Sequence, residues 1–235
     1  NGYITISGGH RVGFSGHVIL ENNAIKTIRY ISSLNIRIAK EIIGAADSVL
    51  PYIINNGQVL NVLIISPPKA GKTTLLRDLV RQLSDGVDRL GIKGMNVGLV
   101  DERSEIACCY EGIPQNDVGM RTDVLDGCPK AKGIMILLRS MSPDLIATDE
   151  IGRNEDALAI EEAINAGVAI ITTVHGFDLD DIRKRPAIRR LIDRYFFDRY
   201  IILSKKNGVG NIEAILESTT GNNMLKTKRE ENKCG

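Results

Sequence analysis

The sequence predicts an α/β fold built around a doubly wound, parallel β-sheet. Two observations favour this class. From residue 59 onward, short apolar runs typical of buried strands alternate with segments of helical periodicity. The first of these runs leads into a loop rich in glycine, lysine and threonine and then into a helix, an order typical of phosphate-binding α/β domains.

The composition is that of an ordinary globular protein. The chain has 235 residues, of which 43% are hydrophobic and 25% charged, so it is long enough to bury a sizeable core. The net charge of +1 gives no strong field for nucleic acid or membrane, and 4% aromatic residues offer few platforms for stacking bases. No apolar run approaches the roughly 20 residues of a transmembrane helix.

The termini and the cysteines add two further expectations. The sequence begins at Asn1 without a methionine and enters a strand almost at once, so we expect a segment of the natural protein to precede it. The four cysteines form no C-x-x-C pair, which disfavours zinc and a disulfide framework. We interpret them as small buried residues.

Residues 1–44 are expected to form a small N-terminal α+β domain. Alternating apolar and polar residues predict three strands, at 3–7, 10–20 and 24–31. Ser33 then caps a predicted helix that runs from Leu34 to Ile43 and ends at Gly44. A unit of this size is marginally stable alone, so it should pack on the rest of the chain or on another subunit.

Residues 45–220 are expected to form the main domain, and residues 221–235 a disordered polar tail. A short helix bent by Pro51 opens the domain at 45–55. The predicted strands lie at 59–65, 95–100, 145–148, 168–174, 199–203 and 211–217, the last of them at an edge. The predicted helices lie at 75–83, 133–141, around 160–166 and at 179–191, the last broken near Pro186. The long irregular stretch 109–132 is interpreted as a functional loop.

Residues 66–74 match the phosphate-loop pattern G-x-x-x-x-G-K-[ST], except that Ser66 replaces the first glycine. In this motif, backbone N–H groups at a helix N-terminus bind phosphate, the lysine reaches the β- and γ-phosphates, and the hydroxyl ligates Mg²⁺. The pattern predicts that ATP and Mg²⁺ bind here, with Lys72 on the phosphates and Thr73 on the metal. The predicted nucleotide-binding residues are Pro68, Lys69, Ala70, Gly71, Lys72, Thr73 and Thr74. The alternative, a turn that merely contains the sequence Gly-Lys-Thr-Thr at 71–74, is disfavoured by the flanking strand and helix.

Two further strand ends carry polar residues suited to the same chemistry. Asp149 and Glu150 follow an apolar strand, where the first would hold Mg²⁺ and the second would orient or deprotonate the attacking water. His175 ends the next strand and is predicted to lie between loop and carboxylates, as a sensor of the γ-phosphate. The alternatives are a surface acidic pair and a histidine without a role in the site.

The strand ending near residue 101 leaves two interpretations open. Asp101, Glu102 and Glu105 could shape the metal region, or could simply pair with Arg103. Six arginines are candidates for completing the site of a neighbouring subunit: Arg11, Arg29, Arg37, Arg103, Arg121 and Arg153.

The motifs quoted above, together with D-E-R-S-E-I-A at 101–107, G-M-R-T-D-V-L-D-G-C at 119–128 and T-V-H-G at 173–176, resemble the stage III sporulation protein AA family. More distantly, the chain is similar to the hexameric secretion and pilus retraction ATPases. That resemblance implies a RecA-like P-loop ATPase and a role for Glu105 in catalysis. Arg29 resembles an arginine of their N-terminal domain that reaches the nucleotide. Asp149 departs from those ATPases, which usually carry glycine there.

The resemblance also implies a setting. It suggests a cytoplasmic homohexamer at the inner face of the mother cell membrane, energising membrane proteins of a sporulation channel and binding no nucleic acid. Two alternatives stay open: a nucleic-acid-dependent ATPase of RecA or Rho type, and a ring scaffold that binds ATP without significant turnover. Phosphoryl transfer to a small molecule is a weaker option, because no acceptor pocket is evident in the sequence.

Overall fold

A computed structural model describes residues 3–225. The N-terminal unit is an antiparallel sheet of three strands in the order β1-β2-β3. Its strands are β1 (Tyr3–Ile6), β2 (His10–Glu21) and β3 (Ala24–Arg37). The two long strands form a ribbon, and the start of β2 packs on the main body.

The helix predicted from Leu34 to Ile43 is wrong. β3 continues to Arg37 because β2 offers a long edge for pairing, with Leu34 opposite Phe14 and Ile36 opposite Val12. Backbone hydrogen bonds to this edge outweigh the helical spacing of the apolar residues. Within residues 3–44 the structure contains strands and turns, so this unit is all-β rather than α+β.

The main body contains one large sheet and two small hairpins. Its strands are β4 (Ile54–Asn55), β5 (Gln58–Val59), β6 (Val62–Ser66), β7 (Gly86–Val87), β8 (Ile92–Lys93), β9 (Val97–Asp101), β10 (Thr122–Asp126), β11 (Leu145–Thr148), β12 (Ala169–His175), β13 (Arg199–Ser204) and β14 (Asn211–Glu217). The large sheet has the order β10-β9-β11-β12-β6-β13-β14. Six of its strands are parallel, and β14 is antiparallel to β13. The predicted α/β class with a doubly wound sheet is confirmed.

Helices cover both faces of this sheet. They are α1 (Leu50–Ile53), α2 (Lys72–Asp85), α3 (Lys130–Ser140), α4 (Asn154–Asn165), α5 (Leu179–Arg183) and α6 (Pro186–Asp193). Alternation along β6 divides the core: Ile64 packs with Leu76 of α2 on one face, and Ile65 belongs to the cluster of α3, α4 and α6 on the other. This burial on both faces explains why β6 is apolar throughout.

Several boundaries differ from the prediction. The helix expected at 45–55 is a single turn, α1, with Pro51 in its first turn. Residues 58–59 belong to a hairpin, so the central strand begins at Val62 rather than at 59. The predicted loop 109–132 contains β10, an edge strand paired only with β9 among the described strands. Its two aspartates, Asp123 and Asp126, and the glycines on either side of it are typical of a loop, which is why the strand was not predicted.

The C-terminal prediction is wrong for part of the tail. Residues 221–225 are described, and Met224 and Leu225 pack against the core. The remainder of the predicted disordered tail, 226–235, lies outside the described residues. In the described part of the chain, no helix is both long and apolar enough to cross a bilayer.

Candidate nucleotide-binding site

The phosphate loop connects the carboxyl end of β6 to the N-terminus of α2. Two of its residues, Lys69 and Gly71, have positive φ of 58° and 98°. These left-handed conformations turn the chain sharply, and the glycine adopts its own without steric cost. Helix α2 begins at Lys72 and is 14 residues long, so its dipole and its free N–H groups favour an anion at this end.

Lys72, Glu150 and His175 form one cluster beside this loop, with Lys72 and Glu150 nearly buried and His175 partly exposed. Lys72 Nζ donates to Glu150 Oε1 at 2.6 Å, and both side chains are about one-tenth exposed. His175 Nε2 contacts the same carboxylate oxygen. On its own, burial would raise the pKa of Glu150, but the hydrogen bond and charge of Lys72, with His175 and Arg103, hold that pKa below its usual value. Glu150 is therefore an ionised carboxylate at neutral pH.

The order of the strands explains this convergence. β12 lies between the phosphate-loop strand β6 and the acidic strand β11, pairing with both. His175 is directly opposite Ser66, and its Nδ1 lies 3.4 Å from the Ser66 carbonyl oxygen. The position predicted for His175, between the loop and the carboxylates, is the one observed.

Glu150 is held in an unusual backbone conformation. Its φ is +40°, in the left-handed region that non-glycine residues rarely adopt. Thr173 of the adjacent strand braces it, because its Oγ1 accepts the Glu150 N–H at 2.9 Å and its carbonyl accepts the Ile151 N–H at 2.9 Å. Strain of this kind persists where surrounding structure enforces it, and it concentrates at functional sites.

Asp149 is fully buried, and neither of its carboxylate oxygens has a hydrogen-bond partner among the described residues. Lys130 Nζ lies 3.9 Å from Oδ1. Burial raises the pKa of Asp149 to about 6. The positive charge of Lys130 opposes this rise, and the negative charge of Asp101 adds to it. Two orphaned carboxylate oxygens suit a hard cation such as Mg²⁺, so Asp149 fits the predicted metal.

Asp101, Glu102 and Glu105, at and just after the end of β9, each have different partners. Asp101 is buried and accepts the backbone N–H groups of Glu105, Ile106 and Ala107 at 2.8–2.9 Å, which fixes the following loop. Glu102 pairs with Lys130, and Glu105 pairs with Arg11 at 3.1 Å. In the described part of the chain, Arg103 pairs with Glu150 at 2.6 Å and with none of these three. The interpretation that they simply neutralise Arg103 is wrong.

A cavity of about 270 Å³ adjoins the second half of the phosphate loop. Thr73 and Thr74 line one side, and the N-terminal sheet lines the other with Arg11 and Arg37. Glu105 also reaches this cavity, so it lies on the same side of the loop as Thr73. Two nitrogens of Arg11, Nε and one terminal nitrogen, are buried and have no hydrogen-bond partner within residues 3–225, although the guanidinium lies 4.5 Å from the centroid of the Tyr3 ring.

Of the six candidate arginines, three lie near the phosphate loop and three lie elsewhere in the chain. Arg29 lies on the exposed part of the ribbon opposite His17, and it does not line the cavity within the same chain. Arg121 binds the Ser84 carbonyl at 3.3 Å, away from the loop. Arg153 precedes α4 and is exposed. Arg11, Arg37 and Arg103 are the candidates brought near the site.

A second cavity of about 940 Å³ opens on the opposite side of the loop. It is lined by Pro67 and Pro68, by Phe177 two residues beyond His175, and by residues of β13 and β14. No sequence pattern indicates this cavity, because its walls come from three distant parts of the chain. Lys130 was also missed: it is buried between Glu102 and Asp149, and no motif surrounds it.

The prediction that the cysteines are small buried residues is confirmed for two of them. Cys108 and Cys109 are buried, and burial raises the pKa of Cys109 to about 12, so it stays an uncharged thiol. Cys128 is half-buried, and Cys234 lies outside the described residues.

Comparisons with solved structures identify the fold. The ATPase DotB of Legionella pneumophila superposes with a TM-score of 0.55 at 18% identity, over 82% of this chain and 52% of DotB. The pilus retraction motor PilT, solved with bound ADP, gives a TM-score of 0.54 at 14% identity, over 99% of this chain and 68% of PilT. The chain thus has the RecA-like fold of these ATPases, while it spans about half the length of DotB.

Sequence comparisons identify the family. Stage III sporulation protein AA of Bacillus subtilis (strain 168) is 50% identical over 226 residues, which cover 96% of this chain and 72% of that protein. A more distant relative, protein SEEDLING PLASTID DEVELOPMENT 1 of Arabidopsis thaliana, is 29% identical over 164 residues, or 22% of its length. Residues 1–223 also match the family described as sporulation stage III, protein AA. This chain therefore belongs to the sporulation stage III protein AA family.

Proposed function

We propose that this chain is an ATP hydrolase that works as an oligomeric motor in sporulation. The observation that carries the proposal is the cluster of Lys72, Glu150 and His175 beside a phosphate loop at a helix N-terminus. The family supports the sporulation role, and the shared fold with DotB and PilT supports the motor class.

The contacts suggest how hydrolysis proceeds. Lys72 neutralises Glu150 in the ligand-free site. A triphosphate would draw Lys72 toward its β- and γ-oxygens, leaving Glu150 Oε1 with His175 as its remaining partner and with a lone pair to accept a proton from the attacking water. His175 contacts the same oxygen and would hold the carboxylate in place while reporting on the terminal phosphate. Mg²⁺, bound by Thr73 and Asp149, would neutralise charge on the phosphates.

Arginines of the N-terminal sheet are proposed to contribute within the same chain. Arg11 and Arg37 border the cavity beside Thr73 and Thr74. Glu105 holds one nitrogen of Arg11, and the others are available for phosphate oxygens. Arg29, far along the exposed ribbon, would serve a neighbouring subunit.

Assembly as a homo-oligomer, with a hexamer as the proposed state, is supported by the surface of the ribbon. Ile25 is 69% exposed and Tyr30 is 81% exposed, and Leu20 and Ile31 of the same ribbon are also exposed. Exposed apolar residues in such number are typical of an interaction surface. We propose that the assembly acts in the cytoplasm at the mother cell membrane, on membrane proteins of a sporulation channel.

The proposal is tested by measuring ADP and phosphate released from Mg·ATP. Glu150→Gln should lower turnover by about 10²–10⁴-fold, the usual contribution of a general base. Glu162→Gln on the exposed face of α4 is the matched control and should behave as wild type. Turnover per chain should rise with protein concentration if Arg29 acts on a neighbour, and Arg29→Ala should remove that rise.

The same assay separates the alternatives. Nucleotide binding without turnover, with membrane partners present, would favour a ring scaffold. Turnover that needs single-stranded DNA or RNA would favour a RecA- or Rho-type enzyme. The cavity beside Pro67 and Pro68 gives phosphoryl transfer to a small molecule a physical basis. That activity would yield ADP without an equal amount of free phosphate.

A further inference from the structure

The turn that joins β13 to β14, residues 205–210, lies against the phosphate loop. The Gly210 N–H donates to the Ala70 carbonyl at 3.0 Å. The base of the turn is closed by a hydrogen bond of 2.8 Å from Asn211 Nδ2 to Ser204 Oγ and by an ion pair between Lys206 and Glu213. The contact therefore joins a braced turn to the loop that is proposed to bind phosphate.

The approach of the two segments is backbone to backbone. A Cβ on Gly71 would lie 3.1 Å from both the nitrogen and the Cα of Gly210, and 3.4 Å from Val209 Cγ1. Gly210 itself has a φ of +84°, which aims its N–H at the loop. No flexible side chain separates these atoms, so a displacement of the turn is transmitted directly to residues 70–71.

This contact is made to a carbonyl group of the loop and not to one of the N–H groups that would bind phosphate. A loop binds phosphate when its N–H groups converge on the anion while its carbonyl groups point away. A donor fixed on the Ala70 carbonyl favours that orientation before the ligand arrives. Pre-organisation of this kind lowers the conformational cost of binding.

We infer that the 205–210 turn is a positioning element for the phosphate loop, acting through the Gly210–Ala70 hydrogen bond without touching the nucleotide. The inference rests on the proposed function, because it assigns a role in the binding of nucleotide at that site. It adds a segment that is 140 residues away in the sequence, counted from Ala70 to Gly210, and that lies at the edge of the sheet, to the residues that shape the loop.

Two substitutions in the turn separate positioning from general stability. Gly210→Ala opposes the positive φ that aims the N–H at Ala70. Gly208→Ala is the matched control, since Gly208 has a φ of +107° in the same turn but its N–H donates to the Lys205 carbonyl, within the turn, and not to the phosphate loop. In the absence of nucleotide, the melting temperatures of the two variants should be lowered by a similar amount. Only Gly210→Ala should weaken the binding of Mg·ADP, by about three- to tenfold, the effect of one backbone hydrogen bond.

Equal affinity of the two variants would overturn the inference, while failure of the wild-type chain to bind Mg·ADP would overturn the proposed function and the inference with it. A second measurement uses the wild-type chain and does not depend on the folding of a variant. Lys205 and Lys206 are exposed trypsin sites in the turn. Saturating Mg·ADP should slow cleavage there several-fold, because a loaded loop holds the turn more firmly, and an unchanged cleavage rate would contradict the positioning role.

Discussion

Glu150 combines three properties that seldom occur together in one residue. Its backbone is in the left-handed region, its carboxylate is mostly buried, and it has three cationic or ionisable partners, Lys72, Arg103 and His175. Ionised groups are buried only when they are paired, and removing one partner leaves an uncompensated charge. The ligand-free site is therefore a closed electrostatic network that a triphosphate would have to open.

Asp149 provides a residue-level test through pH. Its pKa of about 6 exceeds the usual 3.8, so the folded state binds the proton more tightly than the unfolded state. The resulting stabilisation is complete below about pH 3.8 and is lost as the pH rises through 6. Between pH 5 and pH 8 the metal-free wild-type chain should lose about 1.4 kcal/mol from this group.

Asp149→Asn keeps the shape of the side chain but cannot ionise. The free energy of unfolding, measured in urea with a chelator present, should fall between pH 5 and pH 8 by about 1.4 kcal/mol less in this variant than in wild type. Other titrating groups contribute to both proteins and cancel in the comparison. Parallel pH profiles for the two proteins would show that Asp149 titrates normally.

At the scale of single residues, the sequence was most informative where a motif combined residue type with position. Lys72, Glu150 and His175 follow apolar strands or open a helix, and the parallel sheet brings such ends together. Lys130 opens α3 but belongs to no motif, and Arg11 lies within β2. Their positions depend on how a long loop and a separate sheet pack on the body, which local pattern does not encode.

At the scale of elements, β9 and α3 pack without space between them. A Cβ on Gly133 of α3 would lie 2.5 Å from Val100 Cγ1, and Val100 is fully buried. Gly133→Ala should lower the free energy of unfolding by about 1–2 kcal/mol, because the overpacking cost exceeds the gain in helix propensity. Denaturation in urea measures this loss.

Gly152 supplies the control for that substitution. It lies between β11 and α4, is exposed, and has no atom within 4 Å of its Cβ position. Gly152→Ala should change the free energy of unfolding by less than about 0.5 kcal/mol. Equal effects at the two positions would mean that close packing of α3 on β9 does not determine the outcome.

The errors of prediction at this scale have a common cause. Residues 34–37 have helical spacing of apolar side chains, yet β2 provides an edge that recruits them into β3. β10 carries aspartates and follows a glycine-rich stretch, yet it completes the edge of the sheet beside β9. Pairing with a distant strand decided both segments, and a local pattern does not report which edges are free.

At the scale of the molecule, the N-terminal sheet and the main body meet at the candidate site. The main sheet is buried on both faces, while the ribbon exposes apolar residues such as Tyr30 and Ile25. Contacts of the N-terminal sheet with the loop after β9, including Arg11 with Glu105 and the Gly8 N–H with Gln115, join them beside Thr73. A nucleotide in this cavity would contact both bodies, so its binding and release could move one relative to the other.

The central claim is that the loop around Lys72 binds a nucleoside triphosphate. Calorimetric titration of the chain with Mg²⁺ and a non-hydrolysable ATP analogue tests it most directly. We expect saturable uptake at one site per chain, weakened by about tenfold or more in Lys72→Ala through loss of a charge-assisted contact, and retained in Glu150→Gln. No uptake by the folded wild-type chain, or equal affinity in Lys72→Ala, would contradict the account.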